Sequence, residues 1–173
     1  LNEESIFISS IKNWLIKLFK NQVYQILIRY NPEFVSYIMK ILVTGGAGFI
    51  GKHLVKYLLE KNNVITIFDN FSNSTRKSVD HLIEKNVKII EGDIINSQDI
   101  LDATKNQDIV IHLAAKISVV ESIKNPLKTY EINVDGTKNV LIACKKNNIK
   151  KIIIASSAAI YDEPTSSEYK LNE

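Results

Sequence analysis

Four glycines fall within seven residues, Gly45-Gly46-Ala47-Gly48-Phe49-Ile50-Gly51, directly after the β-forming run KILVT at 40–44. Glycine weakens a regular element by roughly 0.5–1 kcal/mol relative to alanine, so such a cluster implies a geometric requirement. The helix-forming stretch FIGKHLVKYLLEK at 49–61 follows at once. A glycine turn between a strand and a helix suits a diphosphate. The early glycines permit a sharp turn with positive φ, Gly48 lets the backbone approach a pyrophosphate, and Gly51 lets the helix pack closely on the sheet. The helix N-terminus adds unpaired N–H groups and a partial positive charge. The glycines fit both Gly46-x-Gly48-x-x-Gly51 and Gly45-x-x-Gly48-x-x-Gly51. The alternative is a tight strand-to-helix turn with no ligand.

A carboxylate at the end of the next strand would complete a dinucleotide site. Asp69 ends NVITIFD at 63–69, 18 residues beyond Gly51. There it can accept both hydroxyls of an adenosine ribose and repel a 2′-phosphate, which favours NAD over NADP. Arg76 and Lys77 lie nearby and keep NADP in play. Asp93, in EGDI at 91–94, suits either an adenine amino group or a turn.

The elements that must position these groups alternate. Strands are expected at 40–44, 63–69, 86–93, 108–115 and 150–157. Helices are expected at 49–61, 75–85, 97–105 and 125–147, with Ser97 as an N-cap and Pro126 in a first turn. Strands rich in Val and Ile with few polar interruptions indicate burial on both faces, and alternation with helices indicates right-handed crossovers. The fold class is therefore α/β, a doubly wound parallel sheet of Rossmann type in the order 3-2-1-4-5. His112 and Cys144 read as packed interior side chains.

Composition sets outer bounds. The chain has 173 residues, 45% apolar and 24% charged, an ordinary globular balance. A net charge of +3 with scattered lysines argues against nucleic acid as a partner. One cysteine excludes an internal disulfide and fits a reducing, cytoplasmic setting, and the three histidines lack metal-ligand spacing. No stretch approaches the ~18 apolar residues of a membrane span. Residues 1–38 form an N-terminal extension without glycine, in which Ile11, Trp14, Leu15, Leu18, Phe19, Val23, Ile26, Leu27 and Tyr30 follow helical spacing up to NPEF at 31–34. A docked helix, an interfacial helix and a leader segment all fit. Residues 39–173 form the second unit, a dinucleotide-binding domain.

The ordered motifs MKILVTGGAGFIG at 39–51, DN at 69–70, EGDI at 91–94, HLAA at 112–115, NVDGT at 133–137 and SSAAIY at 156–161 resemble those of extended short-chain dehydrogenases/reductases. The resemblance is nearest to the NAD-dependent nucleotide-sugar epimerases. It implies that Gly45, Gly48, Phe49, Ile50 and Gly51 lie against the pyrophosphate. Asp69, Asn70, Asn73 and Ser74 would surround the ribose, and Asp93 and Ile94 the adenine. Leu113, Ala114 and Ala115 would line the nicotinamide side, braced by Asn133. Ser157 would be the catalytic serine that bonds the reacting substrate oxygen, with Ser118 and Ser122 also near substrate. The implied substrate is a UDP-sugar and the implied assembly a homodimer of the full-length protein, with the 125–147 helix as a candidate face.

In that family a Tyr-x-x-x-Lys pair moves the substrate proton. Here only Tyr57 and Lys61 have the spacing, on the helix after the glycine turn, where it reads as coincidence. Ala158 and Ala159 stand where related dehydratases carry an acid, which favours epimerisation or simple oxidoreduction. Asp162 replaces the glycine that usually follows the motif tyrosine. The chain therefore reads as the front part of such an enzyme, without its substrate domain and inactive alone. A non-catalytic dinucleotide-binding regulator and another extended short-chain oxidoreductase are the alternatives.

Overall fold

The structure is a computed structural model that describes residues 38–83 and 87–156. Five strands run through it: β1 (Lys40–Thr44), β2 (Val64–Asp69), β3 (Lys88–Glu91), β4 (Ile109–His112) and β5 (Lys151–Ile154). All are parallel, in the order β3-β2-β1-β4-β5, as the alternation of elements predicts. The central strands are almost wholly buried, while β3 and β5 are partly open.

Alternation along each strand divides the apolar side chains between two cores. Ile41, Val43, Ile65, Ile67, Ile109 and Ile111 face α1 (Phe49–Leu59), which contributes Leu54, Val55 and Leu58, and α2 (Lys77–Asp80), which contributes Val79. Leu42, Phe68 and Val110 face the other way. They meet Ile100 and Ala103 of α3 (Ser97–Ala103) and Val140, Ala143 and Cys144 of a later helix, α6 (Thr137–Lys146). Burial pushes the Cys144 thiol up to about 11, so it carries little thiolate near neutral pH.

Several local features differ from the sequence expectation. The strands expected at 86–93, 108–115 and 150–157 are the four-residue β3, β4 and β5. The helix expected at 75–85 is only the single turn of α2 among the described residues. Asn96, not Ser97, caps α3: its side chain accepts the Gln98 and Asp99 N–H groups at 3.0 and 3.4 Å. The helix expected at 125–147 consists of α5 (Pro126–Tyr130), a π-helical stretch (Glu131–Gly136) and α6, and a further short helix, α4 (Val119–Lys124), precedes it. Pro126 does sit in the first turn.

The turn from β1 to α1 is fixed by backbone contact. Gly45 has φ +67°, and a Cβ there would lie 2.8 Å from the Ala114 nitrogen. A Cβ at Gly51 would collide with the Gly45 carbonyl oxygen and with Gly46 main-chain atoms. At Gly48 the space is more open, with only the Gly45 oxygen at 3.1 Å. Gly51→Ala is therefore expected to lose about 1–3 kcal/mol of stability in denaturant unfolding, the range of overpacking. Gly48→Ala should lose much less, and equal losses would contradict this packing.

Candidate functional site: a dinucleotide cradle at the strand ends

The carboxyl ends of β1, β2, β3 and β4 converge where the strand order reverses, between β1 and β4. In open α/β sheets that crevice is where ligands bind. Gly45 and Gly48 lie in the turn from β1 to α1, and Gly51 in the first turn of that helix. Gly48 is the N-cap of α1, with no side-chain cap and no acidic residue in the first turn. The positive end of that helix is thus not neutralised by its own first turn, as suits an anion. Phe49 and Ile50, in the first turn of α1, are exposed.

Asp69 organises the turn that follows β2. Its carboxylate, buried at the end of β2, accepts the Ala47 N–H of the glycine turn at 3.0 Å, the Phe71 N–H at 2.9 Å and the Ser74 hydroxyl at 3.2 Å. A carboxylate offers about four acceptor positions, so the chain itself already fills three. Gripping both ribose hydroxyls, as the sequence suggests, thus requires Ser74 to release Oδ1. The bond to Phe71 also holds that residue at φ 55°, a left-handed conformation uncommon for a bulky side chain.

Asn70 links this turn to the next strand, donating to Asp93 Oδ2 at 2.9 Å, while Asp93 Oδ1 accepts the Ile95 N–H at 3.1 Å. Asp93 is therefore a turn-forming carboxylate beside the same crevice. Asn73 is exposed in the turn that Asp69 holds. Ile94 points its side chain into the core beneath Gly136, so any part it plays at the site comes from its main chain.

Two charged groups refine the electrostatics. Glu91 pairs in register with Asp69 across β2 and β3. Arg76, 3.5 Å from both Glu91 and Asp80, is engaged by acids. Two carboxylates at neighbouring strand ends disfavour an additional phosphate there.

The chain leaving β4 is held by Thr44. Its Oγ1 accepts the Leu113 and Ala114 N–H groups at 3.2 and 3.3 Å, which pins the chain leaving β4 to the end of β1. Both lone pairs of Thr44 Oγ1 being used, its proton goes to His112 Nδ1, 2.7 Å away. Thr137 donates its hydroxyl to the Asn133 carbonyl at 2.7 Å and faces His112 Nε2 at 3.0 Å. This assigns His112 the neutral Nε2–H tautomer. Asn133 accepts the Lys116 N–H at 2.8 Å and donates to the Lys116 carbonyl at 3.0 Å, bracing the loop that contains Ala115.

Some expected residues lie apart from this cluster. Ser118 caps α4 by accepting the Glu121 N–H at 3.3 Å, and Ser122 donates to the Val119 carbonyl at 2.7 Å, so both hydroxyls serve their own helix. Ser157 lies outside the described residues. Tyr57 is on α1, eight residues past its start, roughly 12 Å along the axis and away from the strand carboxyl ends. Lys61 Nζ lies 5.7 Å from the Tyr57 ring centroid, a cation–π contact rather than an active-site pair. Among the described residues no cluster of three His, Cys, Asp or Glu could hold a metal, and no helix is long and apolar enough to cross a membrane. Thr44, Thr137 and Glu91 were not singled out from sequence, since their roles depend on partners distant in the chain.

Residues 41–173 match the model of the NAD dependent epimerase/dehydratase family. The chain belongs to that family. The residues present fit the dinucleotide in the family's description: the N-terminus of α1 carries neither a side-chain cap nor an acid, and the Asp69 carboxylate beside it keeps an acceptor position beyond its three bonds. Among epimerase relatives, UDP-glucose 4-epimerase 3 of Oryza sativa subsp. japonica is 41% identical over 133 residues, covering 72% of this chain and 36% of its own length. Two solved epimerases are also similar. UDP-N-acetylglucosamine 4-epimerase from Methanobrevibacter ruminantium M1, in complex with UDP-N-acetylmuramic acid, is 39% identical with a TM-score of 0.68, covering 79% of this chain and 43% of that one. UDP-glucose 4-epimerase of Thermus thermophilus, in complex with NAD, is 32% identical with a TM-score of 0.68, covering 76% and 42%. The chain thus spans about two-fifths of the length of these epimerases.

Burial lowers the His112 pKa from 6.5 to about 4. The folded state holds it neutral while the unfolded state protonates below pH 6.5, so stability falls as pH drops from 6.5 towards 4 and is fully present above that window. The term amounts to at most about 3 kcal/mol. In denaturant titrations, the difference between wild type and His112→Asn is expected to shrink over that interval, and a pH-independent difference would contradict the assignment.

Proposed function

We propose that this chain forms the cofactor-holding part of an NAD-dependent nucleotide-sugar epimerase similar to UDP-glucose 4-epimerase. The observation that carries the reading is the Asp69 carboxylate joining the turn that follows β2 to the glycine turn, which leaves β1 beside the switch point of the sheet. The family match and the similarity to epimerases support it.

The chemistry a bound NAD supplies is reversible acceptance of hydride. In this proposal the pyrophosphate lies against the Gly45–Gly51 turn at the N-terminus of α1, a turn shaped by the Gly45, Ala47 and Gly48 N–H groups bonding the Phe68 carbonyl, the Asp69 carboxylate and the Gly45 carbonyl. Asp69, Asn70, Asn73 and Ser74 hold the ribose, with Ser74 yielding its place on the carboxylate. Asp93 and the Ile94 main chain border the adenine. Leu113, Ala114 and Ala115 present small or apolar surface to the nicotinamide side, positioned by Thr44 and Asn133. Ser157 would hydrogen-bond the sugar oxygen whose proton is transferred, with Ser118 and Ser122 near the UDP-sugar. The acids Asp69 and Glu91, with Arg76 already engaged, favour NAD over NADP. Exposure of Leu127, Tyr130, Val134, Leu141 and Ile142 along the 125–147 segment supports a homodimer face there.

Calorimetry is expected to show NAD binding at least about tenfold more tightly than NADP, and Asp69→Ala weakening NAD by about tenfold or more, roughly 1.4 kcal/mol. Equal affinity for the two nucleotides, or an unaffected Asp69→Ala variant, would overturn the cofactor assignment. With UDP-glucose or UDP-galactose and added NAD, the 173-residue chain should show little or no turnover, because Tyr57 and Lys61, its only Tyr-x-x-x-Lys spacing, lie away from the cradle. Robust conversion would contradict that division of labour.

A further inference from the structure

We propose that His112 is a positioning residue, tying the end of β1 to the π-helical stretch so that the 113–116 loop is held where the nicotinamide half of the dinucleotide would lie. The inference rests on the dinucleotide reading above.

His112 ends a strand whose other residues are Ile109, Val110 and Ile111, and it is only 3% exposed. A polar ring buried there is costly unless every polar atom is paired. Both nitrogens are paired, and the pairs form a chain with one direction. The Thr44 hydroxyl donates to Nδ1, Nε2–H donates to Thr137 Oγ1, and the Thr137 hydroxyl donates to the Asn133 carbonyl. A single tautomer satisfies every member. Both ends of the chain converge on the same loop. Thr44 Oγ1 receives the Leu113 and Ala114 N–H groups, and the Asn133 side chain closes on both main-chain groups of Lys116.

The π-helical stretch is part of the device. In a regular α-helix the Asn133 carbonyl would accept the N–H of residue 137. Here the Thr137 N–H goes to the Val134 carbonyl, and the Thr137 hydroxyl takes the Asn133 carbonyl instead. Such interruptions occur often at functional sites. The interruption here carries Asn133, whose side chain braces the loop. The chain thus joins β1, β4, the π-helical stretch and α6 around the 113–116 segment, and none of these hydrogen bonds is made to Asp69 or Asp93.

The test compares NAD with ADP-ribose, which lacks nicotinamide, by calorimetry on the full chain. Thr137→Val removes the acceptor for His112 and the donor to Asn133 while keeping the side-chain shape. Thr137→Ser retains the hydroxyl. Thr137→Val is expected to weaken NAD about fivefold, the effect of a lost buried hydrogen bond, and to leave ADP-ribose within about twofold. Thr137→Ser should restore wild-type affinity. Nitrogen-15 spectra of the wild-type imidazole should show Nδ1 without a proton and Nε2 with one. Equal weakening of both ligands, no weakening of either, or the opposite tautomer would each overturn the positioning role. A wild-type chain that binds neither ligand would instead overturn the dinucleotide reading, and this inference with it.

Discussion

The close approach of Gly51 to Gly45 and Gly46 is the constraint on which the rest of the structure depends. It brings the first turn of α1 against the chain leaving β1 with no side chain between them. The helix can then lie flat on the sheet and bury Leu54, Val55 and Leu58 against the β1 and β2 isoleucines. The same turn leaves the uncapped helix N-terminus directed at the strand-end crevice. Packing demands glycine at these positions, and the dinucleotide proposal sets its pyrophosphate against the same turn.

Around that turn the polar groups hold one another. Asp69 holds the glycine turn and its own following turn, Asn70 and Asp93 hold the turn beyond β3, and Thr44 and Asn133 hold the loop beyond β4. Each bond lies at a strand carboxyl end, where parallel strands leave main-chain groups without a ladder partner. In the dinucleotide proposal, recognition comes from exchange at a few of these oxygens, Ser74 for a ribose hydroxyl being the clearest.

Much of this was legible in the residues. Runs such as ILV at 41–43 and IVI at 109–111 announce strands buried on both faces, and their alternation with helices fixes the strand order. The glycine spacing and Asp69 mark the candidate site because their signal is local. Other features depend on distance or on near-equal options. Asn96 and Ser97 are both good caps, and only the path of the chain selects Asn96. The exposed apolar residues of α4 hide its helical character, since Val119, Val120 and Ile123 bury against nothing described. Asn62, Asn106 and Asn148 follow helices with φ between 54° and 60°, a signal for left-handed helix ends that Asn-containing turns carry. The pairing of His112 with Thr137, 25 residues on, has no local signature at all.

The most direct test of the central claim is to follow backbone amide resonances of nitrogen-15-labelled protein during titration with NAD. If the turn holds a diphosphate, the largest shifts fall on Gly45 to Gly51, with a second group at Asp69 to Ser74. Saturable binding that leaves the Gly45–Gly51 amides unmoved would contradict the account.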